Sequence, residues 1–222
     1  MNNLFMLNKL FSIFTWLFFL TFQLNLSEIC IAQSNANIPS GRKTGLPPTV
    51  EVKEVLDRVI EINVAFPGDN NRQARREKLR ETINPYFDFV EMAKRSLGPI
   101  WKEISESERK EFTEVFSELL ARTYLSKIEL ARPNMVEIGN QIIENEKALV
   151  RTKVTYKEDI FPIDYKLYSL NGDPWKVYDV IVENIGLISN YRNEFASIVR
   201  REKFSGLMEK LKNKVNGFAE KS

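Results

Sequence analysis

Histidine is absent from all 222 residues, and cysteine occurs once, at Cys30. The first absence removes the commonest general base and the commonest metal ligand together. The second leaves no disulfide to staple the chain, so the fold must rest on its core. Neither sign of charge is in excess: 32 Lys and Arg against 30 Asp and Glu give +2, so no overall field draws the chain to nucleic acid. No Gly-rich phosphate loop and no G-x-S-x-G elbow is present. These absences remove most catalytic sets. The chain is expected to be no enzyme, to hold no metal and to use no cofactor. What remains, 43% hydrophobic and 28% charged, suits a globular domain with a substantial core.

The N-terminus carries one early charge, Lys9, before the apolar run Leu10 to Leu26. Cys30-Ile31-Ala32 follows as a small-x-Ala site, which predicts a signal peptide over 1–32, cut after Ala32, and export to the periplasm. An uncleaved membrane anchor is one alternative. A lipoprotein attached at Cys30 is another, and Glu28 and Ile29 speak against it. Residues 33–48, QSNANIPSGRKTGLPP, read as a flexible leader. A single domain is expected over 49–216, with 217–222 a frayed tail.

Helical periodicity dominates the first half of that domain. Thr49 is placed to cap a helix carrying Val52, Val55, Leu56, Val59 and Ile60. A second helix after Asp69-Asn70-Asn71 has a thin apolar face and a dense basic one with Arg72, Arg75, Arg76 and Arg80. That face reads as a solvated surface or as a docking surface for anionic headgroups or an acidic partner. Asp88 with Glu91, and Ser105 with Glu108, form capping boxes. The second opens the longest stripe in the chain, Phe112, Val115, Phe116, Leu119, Leu120, Thr123, Tyr124 and Ile128.

Beyond Pro133 the period changes to two. Strands are predicted around Val136 to Ile142 with a bulge at Gly139, at Ala148 to Tyr156, at Ile163 to Leu167, and at Trp175 to Val182. Turns fall at Asn145-Glu146, Glu158-Asp159 and Asn171-Gly172. In the last strand Trp175, Val177 and Ile181 alternate with Tyr178, Val180 and Val182, so both faces are apolar and both need a cover. Asp179 interrupts one of them, either as a base raised by burial or as an acceptor for a helix end. Ser189 or Asn190 is placed to cap the next helix, and Ser205 starts another. The expected fold is α+β: a four-stranded antiparallel meander packed with about six helices. From the residues alone the reading stops at an exported α+β binding module.

A resemblance extends it. Tyr86-Phe87-Asp88-Phe89 with Met92-Ala93, Leu97-Gly98 and Trp101, the stretch FSELLARTY from Phe116 to Tyr124, and W-x-V-Y-D-V followed by I-x-N-Y-R-x-x-F between Trp175 and Phe195 resemble the MlaC (toluene-tolerance) family. Ser205-Gly206-Leu207 and Leu211 extend the match, which runs from about Thr49 to Val215. Where the family usually has Glu-Gly-Val-Ser, this chain has Glu183-Asn184-Ile185-Gly186, and Asn tolerates the left-handed conformation that such a turn requires. The resemblance implies an apolar lipid cavity inside the fold, lined here by Ile163, Tyr165, Leu167, Val180, Val182 and Ile185 facing Leu97, Phe116 and Leu120. It also implies a monomeric periplasmic phospholipid carrier. Its partners would be an outer-membrane lipoprotein complex and an inner-membrane ABC transporter with its substrate-binding subunit, with Arg72 to Arg80 as a docking candidate. The rival readings are a hopanoid or other terpenoid cargo, a pocketless envelope scaffold, and a cavity enzyme on a nuclear-transport-factor-like fold with Asp179 as base.

Overall fold

A computed structural model of the chain describes residues 45–219. The expected signal peptide 1–32, the leader up to residue 44 and the last residues 220–222 lie outside the described residues. Helix α1 (Pro48–Ala65) buries Pro48, Glu51, Val52, Val55, Val59 and Asn63 on one side. It begins two residues earlier than a Thr49 cap would place it, with Pro47 at the cap position, and the Thr49 backbone N–H donates instead to Gln141 Oε1 at 3.1 Å. The last leader residues are tied in as well, because Leu46 O accepts from Trp175 Nε1. Helices α2 (Arg72–Ile83), α3 (Phe89–Leu97), α4 (Ile100–Glu103) and α5 (Glu106–Ile128) follow. Asp88 accepts the Glu91 N–H at the start of α3, and Ser105 with Glu108 closes a full capping box on α5. Gly98, at φ 59°, ends α3 in a conformation that few other residues adopt.

The sheet is β1 (Val136–Glu144), β2 (Lys147–Tyr156), β3 (Asp159–Tyr168), β4 (Lys176–Val182) and β5 (Ile185–Gly186), antiparallel in chain order. It therefore has five strands, not four. Glu183 and Asn184 have φ of 50° and 67°, the pair of positive values that a tight hairpin turn needs, and they fold Ile185–Gly186 back onto Val182 and Ile181. The β2–β3 turn sits on Lys157-Glu158, one residue before the expected place, with Lys157 at φ 57°. The bulge at Gly139 is present: pairing jumps from Ile138–Thr152 to Gln141–Val150.

A second irregularity has more consequence. Lys166 pairs with Asp179 and Leu167 with Val177, so Tyr178 is an extra residue in β4. Val177, Val180 and Val182 therefore share one face, opposite Leu167, Tyr165 and Ile163, while Asp179 and Ile181 lie on the other. The simple alternation expected for this strand is broken there. The first of these faces, covered by α1, is called the inner face below.

Helix α6 (Leu187–Ala219) runs on into the tail expected to fray. Its start is capped by Asp179, which accepts the Ile188 N–H, and not by Ser189 or Asn190. Lys203, at φ 61° and ψ 179°, breaks it two residues before the expected start at Ser205. Just beyond the break a Cβ on Gly206 would lie 2.6 Å from Glu202 Cβ, so only glycine fits.

Three packed groups hold the fold. Phe112, Phe116, Leu119 and Leu120 of α5 meet Met92, Ala93 and Leu97 of α3 and Ile188, Tyr191, Phe195 and Leu207 of α6. Val52 of α1 meets Ala148, Val150, Leu167 and Val177 on the sheet. Val59 of α1 meets Leu79 of α2 and Leu125 of α5. Helix α1 thus bridges the sheet and the helical layer.

Candidate functional site

The inner face changes character along the strands. At one end Ala148, Val150, Leu167 and Val177 are buried beneath α1. At the other, Val154, Phe161, Ile163, Val180 and Val182 are only half-buried, and Ile185 is 37% exposed. Apolar side chains left accessible on one continuous face form a wall in search of a cover. Tyr165 lies between the two ends. Desolvation pushes its hydroxyl up to about 12, against an opposing hydrogen bond with Thr152, yet the side chain keeps accessible surface. Tyr165 lines the cleft beneath α1.

Under α1 the cleft narrows to a cavity lined by Glu51, Val52, Val55, Tyr86, Phe87, Tyr165, Leu167, Trp175 and Val177. Its free volume is about 20 Å³, room for one water. All of these side chains are apolar or aromatic except Glu51, which is 2% exposed and accepts the Trp175 backbone N–H at 3.2 Å.

The predicted lining residues divide into two sets. Ile163, Tyr165, Leu167, Val180, Val182 and Ile185 do share the inner face. Leu97, Phe116 and Leu120 do not face them: they belong to the core between α3, α5 and α6, where the Phe116 ring packs edge-on against Tyr191 and Phe195. The α5 stripe is spent on its neighbouring helices. The cover of the sheet is α1, with Phe87 and Trp175, none of which the sequence pointed to. Glu51 was the one available sign, a carboxylate inside the apolar stripe of α1.

A family model described as MlaC protein matches residues 53–213. The chain belongs to the MlaC family. A solved structure of the phospholipid-binding protein from Ralstonia solanacearum, in complex with a phospholipid, is similar with a TM-score of 0.67. The two are 23% identical, and the match covers 77% of this chain and 98% of that one. At that identity the likeness is one of fold.

In this family member most of the basic cluster of α2 is engaged in ion pairs within the fold. Arg75 and Arg76 both bind the Glu129 carboxylate, at 2.9 and 3.0 Å, and Arg75 Nη1 also donates to the carbonyls of Phe66 and Gly68. Arg80 pairs with Glu118 at 2.5 Å. Burial works to raise the Glu118 carboxyl, but its hydrogen bonds to Arg80 and Arg122 outweigh that and hold it below the usual carboxylate range. These arginines clamp α2 onto α5, because a side chain on a helix that packs against another can reach acids there. Arg72 alone of the set stays exposed.

Asp179 is also engaged. Its Oδ1 accepts the Ile188 N–H at 3.0 Å, and Lys166 Nζ lies 3.5 Å from Oδ2. It sits on the face away from the cavity, holding the N-terminus of α6, where a carboxylate complements the helix dipole.

Proposed function

We propose that this chain binds a phospholipid by its acyl chains along the inner face and carries it through the periplasm. The observation that carries the reading is the apolar inner face, closed at one end by α1 and accessible at the other, in a fold like that of a protein solved with a phospholipid. Burying acyl chains is favourable by about 0.8 kcal/mol per methylene, so a plain apolar wall is enough to hold a lipid. The headgroup stays at the accessible end near Ile163, Val182 and Ile185. The carrier works as an exported monomer between an outer-membrane lipoprotein complex and an inner-membrane ABC transporter with its substrate-binding subunit. It performs no chemistry on its cargo. The engagement of Asp179 by a helix end and by Lys166 supports that part of the reading over a catalytic base.

The test is mass spectrometry of the protein secreted to a bacterial periplasm and purified without detergent, first native and then after organic extraction. A phospholipid at one or more per protein, and an N-terminus at Gln33, are the expected results. A protein that runs at its bare mass and stays empty when offered phospholipid vesicles would overturn the carrier reading. Uptake of a hopanoid in place of a phospholipid would change the cargo.

A further inference from the structure

The cavity under α1 holds about one water, whereas pockets for sizeable ligands run to roughly 300–1,000 Å³. A lipid can enter only if a wall moves, and α1 is held differently at its two ends. Its C-terminal half is anchored: Val59 is 4% exposed between Leu79 and Leu125, and Asn63 Nδ2 donates to the carbonyls of Ile128 at 2.8 Å and Ala131 at 3.1 Å. Its N-terminal half rests on the sheet through Val52 and Leu56. Polar bonds fasten its first turn. Trp175 N–H donates to Glu51 Oε1 at 3.2 Å, Trp175 Nε1–H to Leu46 O at 3.1 Å, and Thr49 N–H to Gln141 Oε1 at 3.1 Å.

We propose that the N-terminal half of α1 is a lid over the inner face, hinged near Val59 and latched by Glu51 and Trp175. This rests on the reading of the chain as a phospholipid carrier. Directional polar bonds suit a latch. They define a single closed position, and once the first turn lifts, water takes over their donors and acceptors, so their net contribution to closure is modest. Apolar packing of the same extent would offer no such exchange. The placement of Glu51 follows: it is the carboxylate in the apolar lining of the cavity, and it reaches the backbone at the start of β4, opposite the helix that must move.

Hydrogen exchange resolved by segment, on the lipid-free mature protein, tests the lid without any lipid. Amides 52–57 should exchange about tenfold faster than 60–65, a difference of about 1.4 kcal/mol. Glu51→Ala and Trp175→Phe should each speed 52–57 several-fold more and leave 60–65 unchanged. Glu51→Gln, which keeps an acceptor, should restore most of the protection. The two loosening variants should then take up phosphatidylethanolamine from vesicles faster than the unaltered protein. One exchange rate along the whole of α1 in every variant would overturn the hinge. Loosened amides with an unchanged uptake rate would overturn the role of the lid. Absence of uptake in every variant, with the exchange pattern intact, would instead overturn the carrier reading.

Discussion

Asp179 Oδ1 accepts the backbone N–H of Ile188 at 3.0 Å, joining a residue in the middle of β4 to the second residue of α6. The β4–β5 hairpin between them has no room for a longer linker. The turn Glu183-Asn184 reverses the chain, Ile185–Gly186 pairs back on β4, and α6 begins at once. A Cβ on Gly186 would sit 2.9 Å from Ser189 Oγ, so a side chain at this close junction requires the Ser189 hydroxyl to turn away.

Asp179→Ala should therefore behave as the loss of a helix cap, with a cost of about 1–2 kcal/mol. Urea unfolding followed by circular dichroism measures it. Asp179→Asn keeps an acceptor and should recover about half the loss. Equal stability of all three proteins would mean that the cap contributes nothing.

Phe116 and Val182 should separate stability from binding. Phe116 is fully buried in the helical core, and Phe116→Ala should cost about 3–5 kcal/mol. Val182→Asp places a carboxylate on the half-buried inner face and should abolish retention of copurified lipid with a small effect on the melting temperature. Lipid extraction and thermal unfolding of both variants provide the comparison. The opposite pattern would place the binding wall among α3, α5 and α6.

Glu129 serves two guanidinium groups from a largely buried position. Replacing it by Gln leaves Arg75 and Arg76 without their counter-charge and should destabilise the protein by about 3 kcal/mol. A double-mutant cycle with Arg75→Met should recover a sizeable part of that loss. Additive effects would show that the pair is not coupled.

Alkaline pH should unfold the protein through its tyrosines. Burial pushes Tyr165 up to about 12, and Tyr168 reaches about 12 through desolvation and its hydrogen bond to Asp88. Between about 10 and about 12 the folded state holds these protons while the unfolded state, at about 10, has released them. Their stabilising contribution is complete below pH 10 and is lost as pH rises toward 12. The urea midpoint measured from pH 9 to 12 should fall, and the fall should be shallower in Tyr165→Phe.

Local chemistry made much of the fold legible. The Ser105–Glu108 box, the α5 stripe, the Gly139 bulge and the change of period after Pro133 are contiguous patterns, and each lies where it was expected. The alternation of Ile163, Tyr165 and Leu167 put all three on one face, as in the structure, because β3 is regular. The errors in the sheet share a cause. The Tyr178 bulge and the short β5 strand depend on which backbone groups meet across the sheet, which the side-chain pattern does not encode, whereas Asp179 meets a helix end as one of its two expected readings had it.

The amino-acid sequence by itself determined what the protein could not use, histidine chemistry and a disulfide within the chain, and where most helices and strands would form. It also determined the family resemblance, since that lives in the order and spacing of short motifs. The tertiary structure alone decided which apolar stripe faces which. Leu97, Phe116 and Leu120 are as hydrophobic as any lipid wall, but α5 lies against α3 and α6, so they became core, and the cover of the sheet fell to α1. Arg75, Arg76 and Arg80 likewise read as a free basic face until Glu129 and Glu118 were brought opposite them. Hydrophobicity and charge state what a side chain needs. Only packing states which neighbour supplies it.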